Sequence, residues 1–292
     1  MSPDSINVIK RNGRGLEPLD IQKIHSMVHY ACEGLSGVSE SQVEMNSGMQ
    51  FYDKMTTEEI QQILIKSASD LISLDKPNYQ YVAARLLLFS LRKGLHHRLW
   101  EHPTLLEHIK KCIDVGVYDK EFLVWYTNEE IEEMNMYIKH ERDYLFSYAG
   151  LRQVVDKYLV QDRSTGEIFE TPQFMYMMIA ATLFRNYDIE RRMDYVKKYY
   201  NAISQHLINI PTPVMAGVRT PLRQFASCVL VDSDDTLPSI FSSDMAIGLY
   251  VARRAGIGIN AGRIRGINSK IRGGEVQHLS LIHISEPTRH RS

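Results

Sequence analysis

Apolar residues recur at helical spacing along most of the chain. Asp20 suits a helix N-cap, because its carboxylate can accept hydrogen bonds from the first free backbone N–H groups. The apolar positions behind it return every three or four residues, at Ile21, Ile24, Val28 and Ala31. This pattern predicts an amphipathic helix, which Gly34 would end.

Further helices begin at recognisable caps. Residues 56–59 (TTEE) and 127–130 (TNEE) each place a threonine three residues before a glutamate, which is the spacing of a capping box. Pro77 suits the first turn of a helix that Gly94 would end. The apolar run after Thr171 predicts a long core helix. The basic residues of segment 190–203 indicate a solvated helix face.

Three segments have the short apolar runs or the alternating apolar and polar residues that are typical of strands. Residues 6–11 predict a strand that turns at Asn12 and Gly13. Segment 157–170 predicts two short strands around a Ser-Thr-Gly turn. From residue 211 onward, the runs SCVLV and GIGIN flank a helical pattern. Strand, helix and strand in this order predict the start of an α/β layer or barrel, which the chain leaves incomplete.

The last residues do not continue this pattern. The segment LSLIHISEPTR, which begins at Leu279, matches a translated sequencing adapter. We interpret residues 279–292 as adapter read-through and leave them out of the fold prediction.

Composition excludes several classes of protein. The formal net charge is -1, which gives no electrostatic reason to expect nucleic acid or a membrane surface as partner. The N-terminal residues lack the apolar core of a signal peptide, and no apolar run approaches the length of a membrane span. We therefore expect a cytoplasmic protein. None of the cysteines lies in a CxxC pair, so no metal site is expected.

The chain has 3 cysteines, and their neighbours differ. Cys32 and Cys112 lie in helical patterns and are expected to be buried as small apolar residues. Cys228 follows Ser227 and precedes two glycine-rich turns. From the residues alone it is either a redox-active thiol or a buried cysteine of the strand SCVLV.

Charged residues suggest two anion sites, each with a simpler alternative. Arg263, Arg265 and Arg272 lie among glycines, and Asp235 precedes a predicted helix; together they could hold a phosphate and a ribose. The alternative is a basic surface loop with an acidic helix cap. Near the N-terminus, lysines on several elements could converge on a triphosphate, or they could be solvated surface charges.

Ordered sequence blocks carry a resemblance over residues 6–278. They include VIKRNG, DIQKIH, QFYDKMTTEEI and YQYVAARL, then PTPVMAGVRTP, QFASCVL, RRAGIGINAGRIRG and IRGGE. In these blocks the chain resembles the amino-terminal part of the large, catalytic subunit of class I ribonucleotide reductase, most closely the aerobic enterobacterial type.

The resemblance implies a mainly α fold in consecutive parts. Residues 1–94 are expected to form an ATP cone, a helical bundle with a small β cap that carries an allosteric activity site. Residues 95–210 are expected to form a helical domain. Residues 211–278 are expected to begin a ten-stranded α/β barrel.

The resemblance also implies an activity for the full-length protein, the reduction of ribonucleoside diphosphates to deoxyribonucleotides for DNA replication by thiyl-radical chemistry. A metal-containing small subunit would supply the radical, and thioredoxin or glutaredoxin the electrons. ATP, dATP and deoxynucleoside triphosphates would be the effectors, no cofactor would be bound covalently, and large subunits would associate with each other. The radical cysteine and the partner of Cys228 are not among the residues of this chain, so we expect it to be inactive alone.

Site residues follow from the resemblance position by position. Cys228 corresponds to one of a catalytic redox pair. The substrate-contacting positions are Thr212, Ser227 and Gly256. The specificity site corresponds to Asp235, Thr236, Leu237, Arg265 and Arg272. The activity site for ATP or dATP corresponds to Lys10, Glu17, Lys23, Thr57 and Lys93.

Three alternatives stay open at this point. The chain could be a stand-alone ATP-cone regulator, although such regulators pair the cone with a zinc ribbon. It could come from another reductase class, which uses cobalamin or a glycyl radical. It could also fail to fold beyond residue 210, because barrel strands without neighbours are prone to aggregate.

Overall fold

A small sheet over four helices forms the first part of the chain. The computed structural model describes residues 6–10, 15–48, 50–97, 99–162, 164–253, 255–266, 268–271 and 276–277. In chain order the first elements are β1 (Asn7–Ile9), β2 (Leu16–Pro18), α1 (Ile21–Cys32), α2 (Glu40–Gly48), β3 (Met55–Thr56), α3 (Thr57–Asp70) and α4 (Tyr79–His96). β1 lies in the middle of the sheet, antiparallel to β2 and parallel to β3. The predicted turn at Asn12 and Gly13 lies outside the described residues.

The predicted caps begin the helices of this part. Asp20 accepts hydrogen bonds from the backbone nitrogens of Gln22 (3.0 Å) and Lys23 (3.3 Å) at the start of α1. Thr56 and Glu59 form a reciprocal capping box at the start of α3. α1 ends at Cys32, and Gly34 follows with a φ of 71°. These local patterns therefore fix the first turns of α1 and α3.

Helices continue through residue 217. They are α5 (Leu105–Asp114), α6 (Phe122–Trp125), α7 (Asn128–Tyr137), a 3-10 helix (His140–Leu145), α8 (Tyr148–Gln153), a π-helix (Val154–Tyr158), α9 (Pro172–Phe184), α10 (Ile189–Ser204) and α11 (Thr212–Gly217). α9 is the predicted apolar helix, and its residues from Pro172 to Thr182 are all buried. A helix that is apolar all round belongs in a core, and α9 forms the centre of this domain.

The chain forms two compact units, Met1–Arg223 and Gln224–Ser292. The described part of the second unit contains β4 (Cys228–Asp232), α12 (Leu237–Ala252), β5 (Gly256–Asn260), β6 (Lys270–Ile271) and β7 (Val276–Gln277). β4 and β5 pair in parallel, and α12 connects them. This βαβ unit is the strand, helix and strand that the sequence predicts. Residues 279–292 lie outside the described part.

One predicted helix end was wrong, and one predicted helix face is solvated only in part. Gly94 does not end α4, which continues to His96 and turns at His97 with a φ of 60°. The contacts of Arg92 and His96 with the following domain hold this last turn and override the weak helix preference of glycine. On α10, Arg191 and Lys198 are exposed as predicted. Arg192 is the exception, because it is buried and its Nε donates to Glu130 Oε1 at 2.7 Å.

Segment 157–170 forms less strand than expected. It contains one isolated antiparallel bridge, Gln161 with Ile168, while its first two residues belong to the π-helix. Side chains satisfy backbone groups that a ladder would otherwise use: Arg219 Nη2 donates to the Tyr158 carbonyl (2.9 Å), and the Val160 N–H donates to Glu170 (2.7 Å). The chain can therefore leave the strand conformation without losing hydrogen bonds.

A buried ion pair holds this segment against α11. Arg219 and Glu170 have fully buried side chains, and Arg219 Nε donates to Glu170 Oε2 at 2.9 Å. Arg219 Nη1 also donates to the Met215 carbonyl in α11. Tyr118 donates its hydroxyl to Glu170, and burial together with this carboxylate raises the Tyr118 pKa well above its usual value. One guanidinium thus joins both ends of segment 157–170 to α11.

Among the described residues, no helix has the length and apolar character needed to cross a membrane.

We predict that Glu170→Gln lowers the free energy of unfolding by about 3–5 kcal/mol, because it leaves the buried Arg219 charge without its partner. Urea denaturation followed by circular dichroism measures this change. Lys66→Ala is the control, because the Lys66–Asp70 pair on α3 is exposed and is expected to contribute at most about 0.5 kcal/mol. Equal effects of the two substitutions would contradict the structural role of the buried pair.

Candidate functional site

A pocket of about 500 Å³ opens in the first part of the chain. Its walls come from the sheet, from α1 and α3, and from the last turn of α4. The residues of the expected activity site all line it, namely Lys10, Glu17, Lys23, Thr57 and Lys93. The fold therefore gathers side chains from five places in the sequence around one cavity.

Two helix N-termini form part of this pocket. α1 begins directly after Asp20, and α3 begins at Thr57. The first N–H groups of a helix have no partner within the helix, and the helix dipole adds partial positive charge there. These features favour an anionic ligand such as a phosphate.

The pocket also carries paired charges. Lys10 Nζ lies 2.7 Å from Glu17 Oε2, and Lys23 Nζ lies 3.5 Å from Asp20 Oδ2. A polyanionic ligand would compete with these carboxylates for the lysine ammonium groups. The apolar part of the lining could hold a flat ring. It consists of Val8, Leu19, Ile24, Met27, Ile60 and Leu64.

Sequence reasoning missed three polar residues of the pocket as site residues. Asp20 was predicted only as a helix cap, whereas it also lines the cavity. Gln61 lines it too, is 3% exposed, and donates from Nε2 to the Leu86 carbonyl at 3.0 Å. His97 lines it at the end of α4. Gln61 and His97 each follow an expected site residue by four positions, and this one-turn spacing could have identified them.

In the second unit, the expected specificity residues meet at the start of α12. Thr236 caps this helix by accepting from the Ser239 N–H at 3.3 Å, and Leu237 is its exposed first residue. Arg265 Nε donates to Asp235 Oδ2 at 2.7 Å, and the Arg265 N–H donates to Oδ1 at 3.2 Å. Arg265 therefore contacts a carboxylate in this structure. Arg272 lies outside the described residues.

Cys228 lies at the start of β4 and is exposed. It pairs in register with Gly256, whose N–H donates to the Ser227 carbonyl at 2.8 Å. Ser227, Cys228 and Gly256 are thus neighbours in the second unit. A Cβ on Gly256 would lie 3.6 Å from the Ser227 oxygen and 4.0 Å from Cys228 Sγ, which is ordinary contact.

Thr212 belongs to the first unit, where it begins α11. Its Oγ1 lies 3.4 Å from the Tyr158 hydroxyl. Because Arg219 holds both the Met215 and the Tyr158 carbonyls, the buried Arg219–Glu170 pair also fixes the surroundings of Thr212.

In the part of the chain that the structure describes, no group of three or more histidine, cysteine, aspartate or glutamate side chains is arranged to hold a metal ion.

The sheet, the four helices and the pocket make the first part a cone domain, and the family matches identify its type. The ATP cone domain family matches residues 6–94. The families of the ribonucleotide reductase all-alpha domain and barrel domain match residues 144–223 and 226–286. These matches agree with a mainly α fold that is followed by the start of a barrel.

Curated relatives agree with the family matches. The chain is 52% identical over 278 residues to ribonucleoside-diphosphate reductase 1 subunit alpha of Salmonella typhimurium and 51% identical over 275 residues to that of Escherichia coli. It is 50% identical over 278 residues to subunit alpha of Haemophilus influenzae. The alignments cover 95%, 94% and 95% of the chain and 36% of each relative. The chain belongs to the ribonucleotide reductase large-subunit family, and it spans about a third of the length of these relatives.

We predict that Cys228 is the reactive thiol of the folded chain. Burial raises the pKa of Cys32 to about 11 and that of Cys112 to about 12, which leaves roughly a thousandth or less of either thiol ionised at pH 8. A chromogenic disulfide reagent at pH 8 should therefore modify one thiol rapidly. Cys228→Ser should remove the rapid phase, and Cys112→Ser should leave it unchanged. A rapid phase that survives Cys228→Ser would contradict the assignment.

Proposed function

We propose that the cone binds ATP or dATP as an allosteric effector in the 500 Å³ pocket. The observation that carries this proposal is the convergence of Lys10, Lys23 and Lys93 beside the first turns of α1 and α3. The ammonium groups and helix N-termini would contact the triphosphate, and the apolar lining would contact the base. Glu17 would accept a hydrogen bond from the nucleotide, and Thr57 would donate one to it or accept one from it.

The full-length protein is proposed to reduce ribonucleoside diphosphates to 2′-deoxyribonucleoside diphosphates. Cys228 would be one of two cysteines that are oxidised to a disulfide while the 2′-hydroxyl leaves as water. Its exposure, and its place beside Ser227 and Gly256, support this role. Thr212, Ser227 and Gly256 would contact the substrate. A radical-generating, metal-containing small subunit and thioredoxin or glutaredoxin would be the partners.

The start of α12 is proposed as the specificity site for a deoxynucleoside triphosphate or ATP. Asp235 precedes this helix, Thr236 caps it and Leu237 is its first residue, at the helix end where an anion is favoured. Arg265 would have to exchange Asp235 for a phosphate, so effector binding would break the 2.7 Å contact. Arg272 would be the second cation, and self-association of large subunits would complete the site.

The matches beyond the cone favour this function over a stand-alone cone regulator. Residues 144–223 and 226–286 match reductase domains, which such a regulator does not need.

We predict that the chain binds ATP and dATP, and that Lys23→Ala weakens binding about tenfold or more. A charge-assisted hydrogen bond contributes about 1.5–3 kcal/mol, and each 1.4 kcal/mol is a factor of ten. Isothermal titration calorimetry measures both affinities. Lys66→Ala removes a lysine of α3 that does not line the pocket and should leave the affinity unchanged. No binding of either nucleotide by the folded parental chain would refute the proposed site.

We also predict no deoxynucleotide formation by this chain, even with the small subunit and a thiol reductant. The chain has 3 cysteines, and two of them are buried, whereas the proposed reaction needs a radical cysteine and a redox pair. Chromatography of the nucleotide products tests this expectation. Product above the level of a Cys228→Ser control would contradict it.

A further inference from the structure

The end of α4 contacts two different environments. Lys93 and His97 are four residues apart and line the nucleotide pocket. Arg92 and His96, each one residue earlier, contact the helical domain: Arg92 pairs with Asp143 at 3.0 Å, and the His96 ring lies against His102. Residues four apart share a helix face, so this turn presents one face to the pocket and another to the helical domain.

Four histidines surround Phe174 on the second face. This histidine cluster consists of His96, His102, His108 and His140. The rings of His102 and His140 are stacked with centroids 3.6 Å apart, and His108 stacks on Phe174 at 4.3 Å. The cluster joins α4, the segment after it, α5, the 3-10 helix and α9.

Three nitrogens of the histidine cluster are buried without a hydrogen-bond partner among the described residues: His96 Nε2, His102 Nδ1 and His140 Nδ1. Buried polar atoms are normally paired, so an unpaired set in one place points to a special role. Stacked imidazoles with unpaired nitrogens are tolerable when neutral. A proton on one of them would place an unpaired charge beside the Arg92 guanidinium.

The surrounding charges favour the neutral form as well. Burial, followed by nearby positive groups, lowers the pKa of His96 to about 4, of His102 and His108 to about 3, and of His140 to about 2. The titratable and charged groups near the cluster come from several elements. The Tyr118 hydroxyl lies 3.0 Å from His108 Nε2, and Cys112 Sγ lies 3.7 Å from the same nitrogen. The others are Arg92 and His97 from α4 and its end, Lys111 from α5, Glu141 and Asp143 from the 3-10 helix, and Arg219.

The direction of the pH effect follows from these values. A histidine whose pKa is lowered in the packed state stabilises that state above its ordinary pKa of about 6.5. The stabilisation is lost as the pH falls from about 6.5 toward the lowered value. Each such histidine shifts the equilibrium toward a released state by about tenfold per pH unit within this window.

We propose that the histidine cluster is a pH-sensitive switch on the last turn of α4, and that its protonation releases this turn and weakens nucleotide binding at Lys93 and His97. This inference rests on the proposed nucleotide function of the cone. Because linkage is reciprocal, a bound nucleotide in turn opposes protonation of the cluster.

Trp100 can report release of the turn. It lies between His96 and His102 in sequence, and its ring packs edge-on against Phe89 and Tyr30. The chain has 2 tryptophans, so Trp125→Phe leaves Trp100 as the sole reporter. In that background, Trp100 fluorescence is titrated from pH 8 to pH 4, with far-ultraviolet circular dichroism to follow the helices.

We expect a fluorescence transition below pH 6.5 that precedes loss of helix. The double substitution His102→Phe and His140→Phe keeps two stacked rings but removes two titrating groups, and should lower the midpoint by about 1 pH unit or more. His25→Gln on α1, outside the cluster, should not move it. An unchanged midpoint in the double variant, or a transition that coincides with loss of helix, would overturn the switch.

Nuclear magnetic resonance of the histidine ring carbons in the parental chain is a second measurement, independent of whether the variant folds. The cluster resonances should remain those of neutral imidazole until the Trp100 transition. Protonation of these rings near pH 6.5 without that transition would also overturn the switch.

The nucleotide arm separates the two proposals. ATP affinity is measured at pH 8 and pH 5.5, and the parental chain should lose at least about fivefold more affinity than the double variant. The comparison cancels protonation of the nucleotide itself. Equal losses would overturn the coupling. Absence of ATP binding at pH 8 in both folded chains would refute the nucleotide site and with it the coupling. The midpoints of the Trp100 transition alone would then decide whether the histidine cluster acts as a switch.

Discussion

The buried ion pair between Arg92 and Asp143 ties the end of α4 to the helical domain. Its two side chains are 3% and 0% exposed and lie 3.0 Å apart. Asp143 also accepts from Gln173 of α9, which in turn accepts from the Tyr200 hydroxyl of α10. Burial raises the Asp143 pKa, and the Arg92 guanidinium opposes that effect. Since a buried charge is costly without its partner, α4 cannot leave the helical domain freely.

This constraint reaches the pocket of the cone through one helical turn. Lys93 follows Arg92 directly, so the pocket receives an ammonium group whose position depends on a salt bridge in another domain. The remaining walls of the pocket depend on the caps of α1 and α3, which are local. The cavity therefore combines two rigid helix starts with one wall that is set by long-range packing. Of these walls, the end of α4 is the one that an event in the helical domain can displace.

The sequence predicts what short-range chemistry controls. The cap at Asp20 and the capping boxes at Thr56 and Thr127 need only neighbouring residues, and the structure has them where they are expected. The predicted end of α4 was wrong, because tertiary contacts outweigh the local signal of Gly94. The strands in segment 157–170 were overestimated because Arg219 and Glu170, which are distant in sequence, take over their backbone hydrogen bonds.

The site residues show the same difference between local signals and contacts that are distant in sequence. The lysines of the cone were placed together by family resemblance, since spacing alone left them as solvated charges. The sequence left two roles open for Cys228, and the structure shows it exposed at the start of β4. The histidine cluster had no sequence signal, because its members come from separate elements and meet only around Phe174.

The second unit differs from the first in how much apolar surface it exposes. Parallel strands are normally covered on both faces, yet Leu230 of β4 is 88% exposed and Ile259 of β5 is 56% exposed. α12 also exposes apolar residues four positions apart, at Leu237, Phe241, Met245 and Leu249. Exposed apolar surfaces of this kind are typical of regions that further chain or another subunit covers. The first unit has its own buried core in α9, so the proposed nucleotide binding by the cone does not require that the second unit be covered.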